Sequence, residues 1–241
     1  MYRTLNIIAL HTTKYNDRHS ILTAYSREMG RVAFLVPAGN GREAARRRAL
    51  LMPLSPIECV AGITHGRDIF TMRDPRPILP MHGIHTDPVR GIVAMFICEV
   101  TDAVLRESQA DDTTYAFLLD AADRLNDRST PIANFPIAFL YRLGSLIGIE
   151  PDVSSWREGR VLDLVDGTFR TTPPMHTRYL PTTESRTAAT LSRINWKNLG
   201  IFKFTRTERA RVIDTILEYY TLHYTNMSAL KSPYVLRSIL A

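Results

Sequence analysis

His19-Ser20-Ile21-Leu22-Thr23-Ala24-Tyr25-Ser26-Arg27-Glu28-Met29-Gly30-Arg31-Val32-Ala33-Phe34-Leu35-Val36 decides the fold of the first third of the chain. From His19 to Tyr25 the side chains alternate, with Ile21, Thr23 and Tyr25 on one side and Leu22 and Ala24 on the other, which is the period of a strand. Glu28-Met29-Gly30 reads as a hairpin turn, because glycine takes the positive φ such turns demand without a steric cost. Val32, Phe34 and Val36 then alternate along the return strand. Outward from this hairpin, Leu5 to Leu10 forms an apolar strand before it, and Ile57 to Val60 and Gly66 to Met72 supply two strands after it. Between them, Arg42 to Leu51 has the alanine-rich composition of a short helix, confined on its far side by Pro53 and Pro56. Five strands with one helix between the third and fourth is the order of an OB-type barrel.

From about residue 88 the period changes from two to 3.6. Four helical stripes follow: Val93, Phe96, Val100 and Val104; Tyr115, Leu118, Leu119, Ala122 and Leu125; Phe135, Phe139, Leu143 and Ile147; and Ile213, Leu217, Tyr220 and Tyr224. Residues 151 to 183 are rich in Pro, Thr and Ser and form an excursion with one hairpin, Val161 to Leu164 and Thr168 to Arg170 about a turn at Asp166-Gly167. The expected fold is therefore α+β: a five-stranded OB-type barrel over residues 1–80, then a mostly helical domain over 81–241 carrying one small β-hairpin.

Charge divides the chain in the same place. The protein carries a net charge of +6, and residues 1–80 hold twelve Lys/Arg against six Asp/Glu, while the remainder holds eighteen of each. Arg42, Arg46, Arg47 and Arg48 fall in one short segment after Gly39-Asn40-Gly41. A β-domain with a basic loop is the electrostatic footprint of a polyanion-binding protein. The same run also fits a solvated helix face with no partner.

Other chemistry finds little support. Cys59 and Cys98 lie in strand-like and helix-like runs without a CxxC spacing, so a four-cysteine metal site cannot be assembled, and both read as small buried residues. The seven histidines are scattered. The glycine loop lacks the Gly-Lys-Ser/Thr of a P-loop, no GxSxG occurs, and Asp111-Asp112 with Asp120 and Asp123 fit solvated helix ends better than a magnesium site. Neither a spanning segment nor a signal peptide is expected, since Pro131 to Tyr141 is too short and is followed by Arg142. The reading is a non-enzymatic, cytoplasmic protein without cofactor or metal.

Several segments together resemble the RecO family of bacterial recombination mediators. Tyr15 through Gly30 is similar to the family's opening hairpin with its Glu-x-Gly turn, and Gly39 through Leu54 to its basic loop and step into the fourth strand. Leu143-Gly144-Ser145-Leu146-Ile147-Gly148-Ile149-Glu150-Pro151-Asp152 resembles its helix end, and Leu162 through Phe169 its hairpin. Glu208-Arg209, Tyr219-Tyr220-Thr221-Leu222-His223 and Leu230-Lys231-Ser232-Pro233-Tyr234-Val235-Leu236 resemble its closing stretch. One departure stands out. Many members place four cysteines around that hairpin as a zinc site, whereas here Ser154, Ser155 and Trp156 open the region and no cysteine follows, which places the chain in a metal-free branch. Trp156, Leu162, Leu164 and Phe169 are left to hold the excursion by apolar packing.

The resemblance implies binding of single- and double-stranded DNA, annealing of complementary strands, and work with RecR in loading RecA onto DNA covered by single-stranded-DNA-binding protein, at the nucleoid. Annealing needs phosphate neutralisation without base reading, for which arginine forks are suited. Arg42, Arg46, Arg47 and Arg48 are the first candidate contacts, extended by Lys14, Arg18, Arg27, Arg31, Arg67 and Arg73. Tyr25, Phe34 and Phe70 are candidate stacking aromatics, with core burial as the other reading. For the acidic, apolar-ended tail of single-stranded-DNA-binding protein, Phe135, Phe139 and Leu143 beside Arg142 could form a slot, or else a plain bundle seam. An alternative function is a scaffold whose basic loop binds an acidic protein.

Overall fold

The computed structural model describes residues 1–64, 66–106 and 108–239. Strands β1 (Tyr2–Lys14), β2 (His19–Ser26), β3 (Gly30–Pro37), β4 (Pro56–Gly62) and β5 (Ile69–Pro77) close a barrel in the order β1-β2-β3-β5-β4, with helix α1 (Arg42–Leu50) between β3 and β4. Only the β3/β5 pairing is parallel. Leu5, Ile7, Ala9, Leu22, Ala24, Val32, Phe34, Val36, Ile57 and Cys59 fill its interior. The alternation read in the sequence is thus the inward face of the pleat.

The turn that decides the hairpin is built as read. Gly30 has φ +71°, and a Cβ there would stand 2.8 Å from the Ser108 carbonyl oxygen, so both the backbone and the space require glycine. Glu28 explains the acid of the turn. Its carboxylate accepts from the backbone N–H and the amide of Asn6, each at 2.9 Å, and from the Ser26 hydroxyl, tying the hairpin to β1. β1 itself is longer than its apolar run. It continues past a register shift between Ala9 and His11, and its Ile8 and Leu10 are buried outside the barrel interior, on a strand packed by α3 and α4. β5 begins at Ile69, later than read, and runs on through Pro75 to Pro77.

The change from strand to helix lies between Pro77 and His82, but the packing does not divide there. Helices α2 (His82–Thr86), α3 (Pro88–Val104) and α4 (Asp112–Asn126) pack with the barrel in one compact unit, residues 1–130, which also holds 230–239. The second unit is Pro131–Ala229. In the first, the Cys98 thiol donates to the Ala9 carbonyl at 3.6 Å, and buried Arg90 donates to the carbonyls of Leu125, Arg128 and Thr130 at 2.7, 3.0 and 3.0 Å, closing the end of α4. The closing Lys-Ser-Pro motif has a plain role. Glu99 of α3 accepts from the backbone N–H groups of Lys231 and Ser232, both at 2.8 Å, at the start of α8 (Ser232–Ile239).

The second unit contains α5 (Phe135–Leu146), a single 3-10 turn at Val153–Ser155, a small sheet of β6 (Val161–Asp163), β7 (Thr168–Arg170) and β8 (Tyr179–Leu180), then α6 (Thr182–Leu191) and α7 (Arg206–His223). Leu162, Leu164 and Phe169 are buried with Leu180 and Tyr219, and Trp156 packs against them half-buried, so the excursion does have an apolar core. Gly167 takes φ +68° in the hairpin turn, where a Cβ would press on the Tyr219 ring and hydroxyl. Thr205 and Glu208 form a reciprocal capping box that starts α7, and the Tyr220 hydroxyl donates to the Leu140 carbonyl at 2.6 Å to lock α7 to α5.

One expectation is corrected here. Phe135, Phe139 and Leu143 are wholly buried, with Phe135 stacked 4.6 Å from Trp196 and the Arg142 guanidinium 5.1 Å over the same indole. A helix that is apolar on this stripe gains most by facing the core, so the seam reading prevails and these residues line no surface slot. In two other stripes one member stands partly outside the core: Leu119 is half-buried and Tyr224 is exposed.

Candidate nucleic-acid interface

Helix α1 has no buried residue, an unusual state for a helix inside a folded unit. Packing does not hold its arginine-bearing turns; Leu50 and Leu51 anchor only its end to the barrel core. Its other restraints are electrostatic. Arg47 donates to the Pro37 carbonyl and to Glu43, both at 3.3 Å, and Arg48 donates to the Gly39 carbonyl. Arg47 and Arg48 also lie in the last turn, where the helix dipole favours cations. Arg42 and Arg46 are exposed and find no partner among the described residues. They are the most available cations of the four.

The loop between β1 and β2 lies beside this helix. Ala38, at the foot of α1, donates to the Arg18 carbonyl at 2.8 Å, and Asn16 holds the backbone N–H groups of Arg18 and His19 at 2.9 and 2.8 Å. Arg18 is exposed and Lys14 forms a solvated pair with Asp17 at 2.9 Å, the kind of contact that contributes little and yields readily to phosphate. The β1–β2 loop that carries Arg18 thus adjoins the segment leading into α1.

It does not bring Arg27 and Arg31 into that group. Arg27 binds Asp112 of α4 through two contacts, 2.7 and 3.3 Å, and Arg31 binds Asp102 of α3 at 2.7 Å. Asp102 also meets His11 Nε2 at 3.2 Å. Burial alone would raise the Asp102 carboxyl, but the hydrogen bonds from His11 and Arg31 outweigh it and hold the carboxyl at about 2. These two cations of the hairpin clamp helices to the barrel wall. Arg67, in the turn between β4 and β5, is exposed, and Arg73 lies with its guanidinium carbon 4.5 Å over the Tyr2 ring.

Among the aromatic candidates, Phe34 and Phe70 follow the core-burial reading, and Tyr25 is corrected to it. Tyr25 and Phe34 are wholly buried, and Phe70 is half-buried, edge-on to Phe34 at 6.3 Å. Burial raises the Tyr25 phenol, whose hydroxyl donates to the Gln109 carbonyl at 3.3 Å. Two residues that the sequence reading passed over matter more: Tyr2, 58% exposed, and Asp102. Tyr2 opens a strand whose outward positions alternate with Leu5 and Ile7, which is the signal that could have found it.

Three of the four carboxylates considered for a metal are otherwise engaged. Asp111 caps α4, accepting from the Thr114 hydroxyl at 2.6 Å and the Thr114 N–H at 2.7 Å, and these bonds lower its carboxyl; Asp112 is held by Arg27, and Asp120 meets Arg124 at 3.3 Å. Among the described residues no group of three His, Cys, Asp or Glu side chains is placed to hold a metal ion. Cys59 is buried, which pushes its thiol up to about 12 and leaves it unreactive. No described helix is long and apolar enough to cross a membrane.

A closed five-stranded barrel in OB order, with an unburied arginine helix between its third and fourth strands and helices clamped to its wall, defines an OB-barrel protein with a helical body. Residues 1–80 match the family model "Recombination protein O N terminal", and residues 85–233 match "Recombination protein O C terminal". The chain is 35% identical over 237 residues to "DNA repair protein RecO" of Porphyromonas gingivalis, covering 96% of each, and 30% identical over 239 residues to the protein of that name from Phocaeicola vulgatus, covering 99% of each. A more distant relative so named, from Flavobacterium psychrophilum, is 23% identical over 234 residues, 96% of each chain. The chain belongs to the recombination protein O (RecO) family.

Proposed function

We propose that this chain is a DNA repair and recombination mediator that binds single- and double-stranded DNA, anneals complementary strands and, with RecR, helps load RecA onto DNA covered by single-stranded-DNA-binding protein. It acts in the cytoplasm without catalysis of its own. The observation that carries the reading is α1, a helix with no buried residue whose Arg42 and Arg46 face solvent on an OB barrel that also exposes Arg18 and Lys14. A surface of arginine forks neutralises phosphates without reading bases, which is what bringing two anionic strands together requires. Arg47 and Arg48 support the helix as well as the charge.

The tail of single-stranded-DNA-binding protein needs another place than the buried α5 stripe. An open groove between α5, α6 and α7 supports one, lined by Tyr141, Leu180, Ala188, Phe204 and Ile216, with Arg211 at its rim. Arg211 is paired with Glu184 at 2.7 Å on the surface, an interaction that a peptide carboxylate could replace.

The test titrates short single-stranded and duplex DNA into the protein at several salt concentrations, followed by strand annealing. Binding whose log K falls linearly with log salt, together with accelerated annealing, supports the mediator. Binding to an acidic protein but to neither form of DNA would establish the scaffold instead.

A further inference from the structure

With Tyr25 and Phe34 in the core and Phe70 against it, the barrel lacks the stacking residues the sequence suggested, yet one ring on its strands does face solvent. The registers give its setting. Ile21 pairs with Leu35, Leu35 with Thr71, Thr71 with Gly62 and Gly62 with Tyr2, one outward row across β2, β3, β5, β4 and β1. Because the barrel is closed, these five strands are its whole circumference, and the row winds round the wall. At its Tyr2 end the ring has Gly62 across from it on β4 and the exposed Thr71 next on β5.

Gly62 shapes the seat of the ring. A Cβ there would collide with the Thr71 hydroxyl and come 3.3 Å from the Tyr2 ring, so glycine lets the ring settle close to the strand. Arg73 fixes the ring through a contact between guanidinium and π-face at 4.5 Å. An exposed aromatic immobilised by an arginine is a pre-ordered surface, which avoids the entropy cost of fixing a mobile ring on binding. Arg3 is exposed next to Tyr2 in β1, and the Met1 ammonium is held on the Ile63 carbonyl at 3.0 Å. The ring face suits a base, and these cations suit the backbone that carries it.

We propose that Tyr2, backed by Arg73, is the base-stacking subsite of the barrel and takes an unpaired base of single-stranded DNA. The inference rests on the DNA-binding reading above and deepens it: α1 and the β1–β2 loop supply affinity for the backbone, and Tyr2 supplies preference for the single strand, because the faces of paired bases are already stacked. Stacking of a base on one aromatic ring corresponds to about a 5- to 140-fold change in affinity.

The experiment compares wild-type, Tyr2→Ala and Tyr2→Phe full-length chains for binding to a single-stranded oligonucleotide, its abasic counterpart and the duplex, each across a salt series. Tyr2→Ala is expected to weaken the normal single strand at least fivefold, with an unchanged salt slope and unchanged binding to abasic and duplex DNA, while Tyr2→Phe behaves as wild type. Ultraviolet cross-linking of a 5-iodouridine oligonucleotide to the wild-type chain should label Tyr2, a readout that does not depend on any variant folding. Wild-type binding to the single strand with Tyr2→Ala indistinguishable and Tyr2 unlabelled overturns the inference alone. No salt-dependent binding by the wild type to any of the three overturns the DNA reading itself.

Discussion

Asp102 is the residue whose replacement most directly tests how the helices hold the barrel. Its carboxylate is mostly buried, 15% exposed, and accepts from Arg31 at 2.7 Å and His11 at 3.2 Å. Its titration is depressed from the ordinary 3.8 to about 2. A depressed carboxyl contributes stability that is fully present above the unfolded-state value and is lost as pH falls through the folded-state value. The window is therefore pH 4 down to pH 2. At ~1.36 kcal/mol per unit the shift corresponds to about 2.4 kcal/mol, which the part exposure of Arg31 and His11 reduces to about 2. Asp102→Asn keeps the shape but removes the charge. In urea unfolding at pH 7 it should lose about 2 kcal/mol, or roughly 4–8 °C in thermal midpoint for a chain of this size. The gap from wild type should narrow as pH is lowered, with about half of it gone near pH 3, because the variant has no carboxyl to protonate. A variant within ~0.5 kcal/mol of wild type at pH 7, or a gap that is constant from pH 7 to pH 3, would refute the clamp.

Replacing Arg42 and Arg46 together by Ala should flatten the salt slope of single-strand binding by about 1.4 units, at roughly 0.7 per phosphate contact, and leave the thermal midpoint nearly unchanged because neither side chain is buried or bonded; an unaltered slope in a folded double variant would move the DNA path off α1. Gly30→Ala forces a side chain into φ +71° and against the Ser108 carbonyl, so circular dichroism melting should show a loss of at least about 1–2 kcal/mol. Metal analysis of protein purified without chelator should find well under one zinc per chain, and EDTA should leave the melting curve in place, since Leu162, Leu164, Phe169 and Tyr219 supply a core for the hairpin; a stoichiometric zinc whose removal unfolds residues 131–229 would contradict this.

The barrel was legible because every strand pairs near in sequence or carries a strict period: Val32, Phe34 and Val36 face inward, as their spacing requires, and Gly30 marks the turn. What could not be read was the outer wall. Tyr25 alternates as an outward residue should, and so looked available, but a covering segment some eighty residues away buries it through Gln109. Arg27 and Arg31 look like any other surface arginines until Asp112 and Asp102 arrive from α4 and α3. The same blindness affects Phe135, Phe139 and Leu143, since a 3.6-residue stripe reports that a face is apolar and says nothing of whether protein or solvent covers it. Long-range partners decide such cases, and period carries no information about them.

The fate of the ten candidate cations follows from this, and with it a constraint on mechanism. A cation already bonded to a carboxylate must break that bond before it can release a counterion to DNA, so Arg27 and Arg31 add little to affinity, and Asp102 and Asp112 repel phosphate from their end of the β2–β3 hairpin. Arg42, Arg46, Arg18 and Lys14 carry no such cost, or only that of a solvated pair. The net charge of residues 1–80 therefore overstates the working charge of the surface. On the proposed reading, a strand entering beside α1 would meet phosphate capture, and one reaching Tyr2 would meet a ring. Phosphate capture with a single stacking ring elsewhere on the barrel would hold the backbone while leaving bases exchangeable. A complementary strand could then compete for those bases, because no deep pocket or dense arginine array retains them.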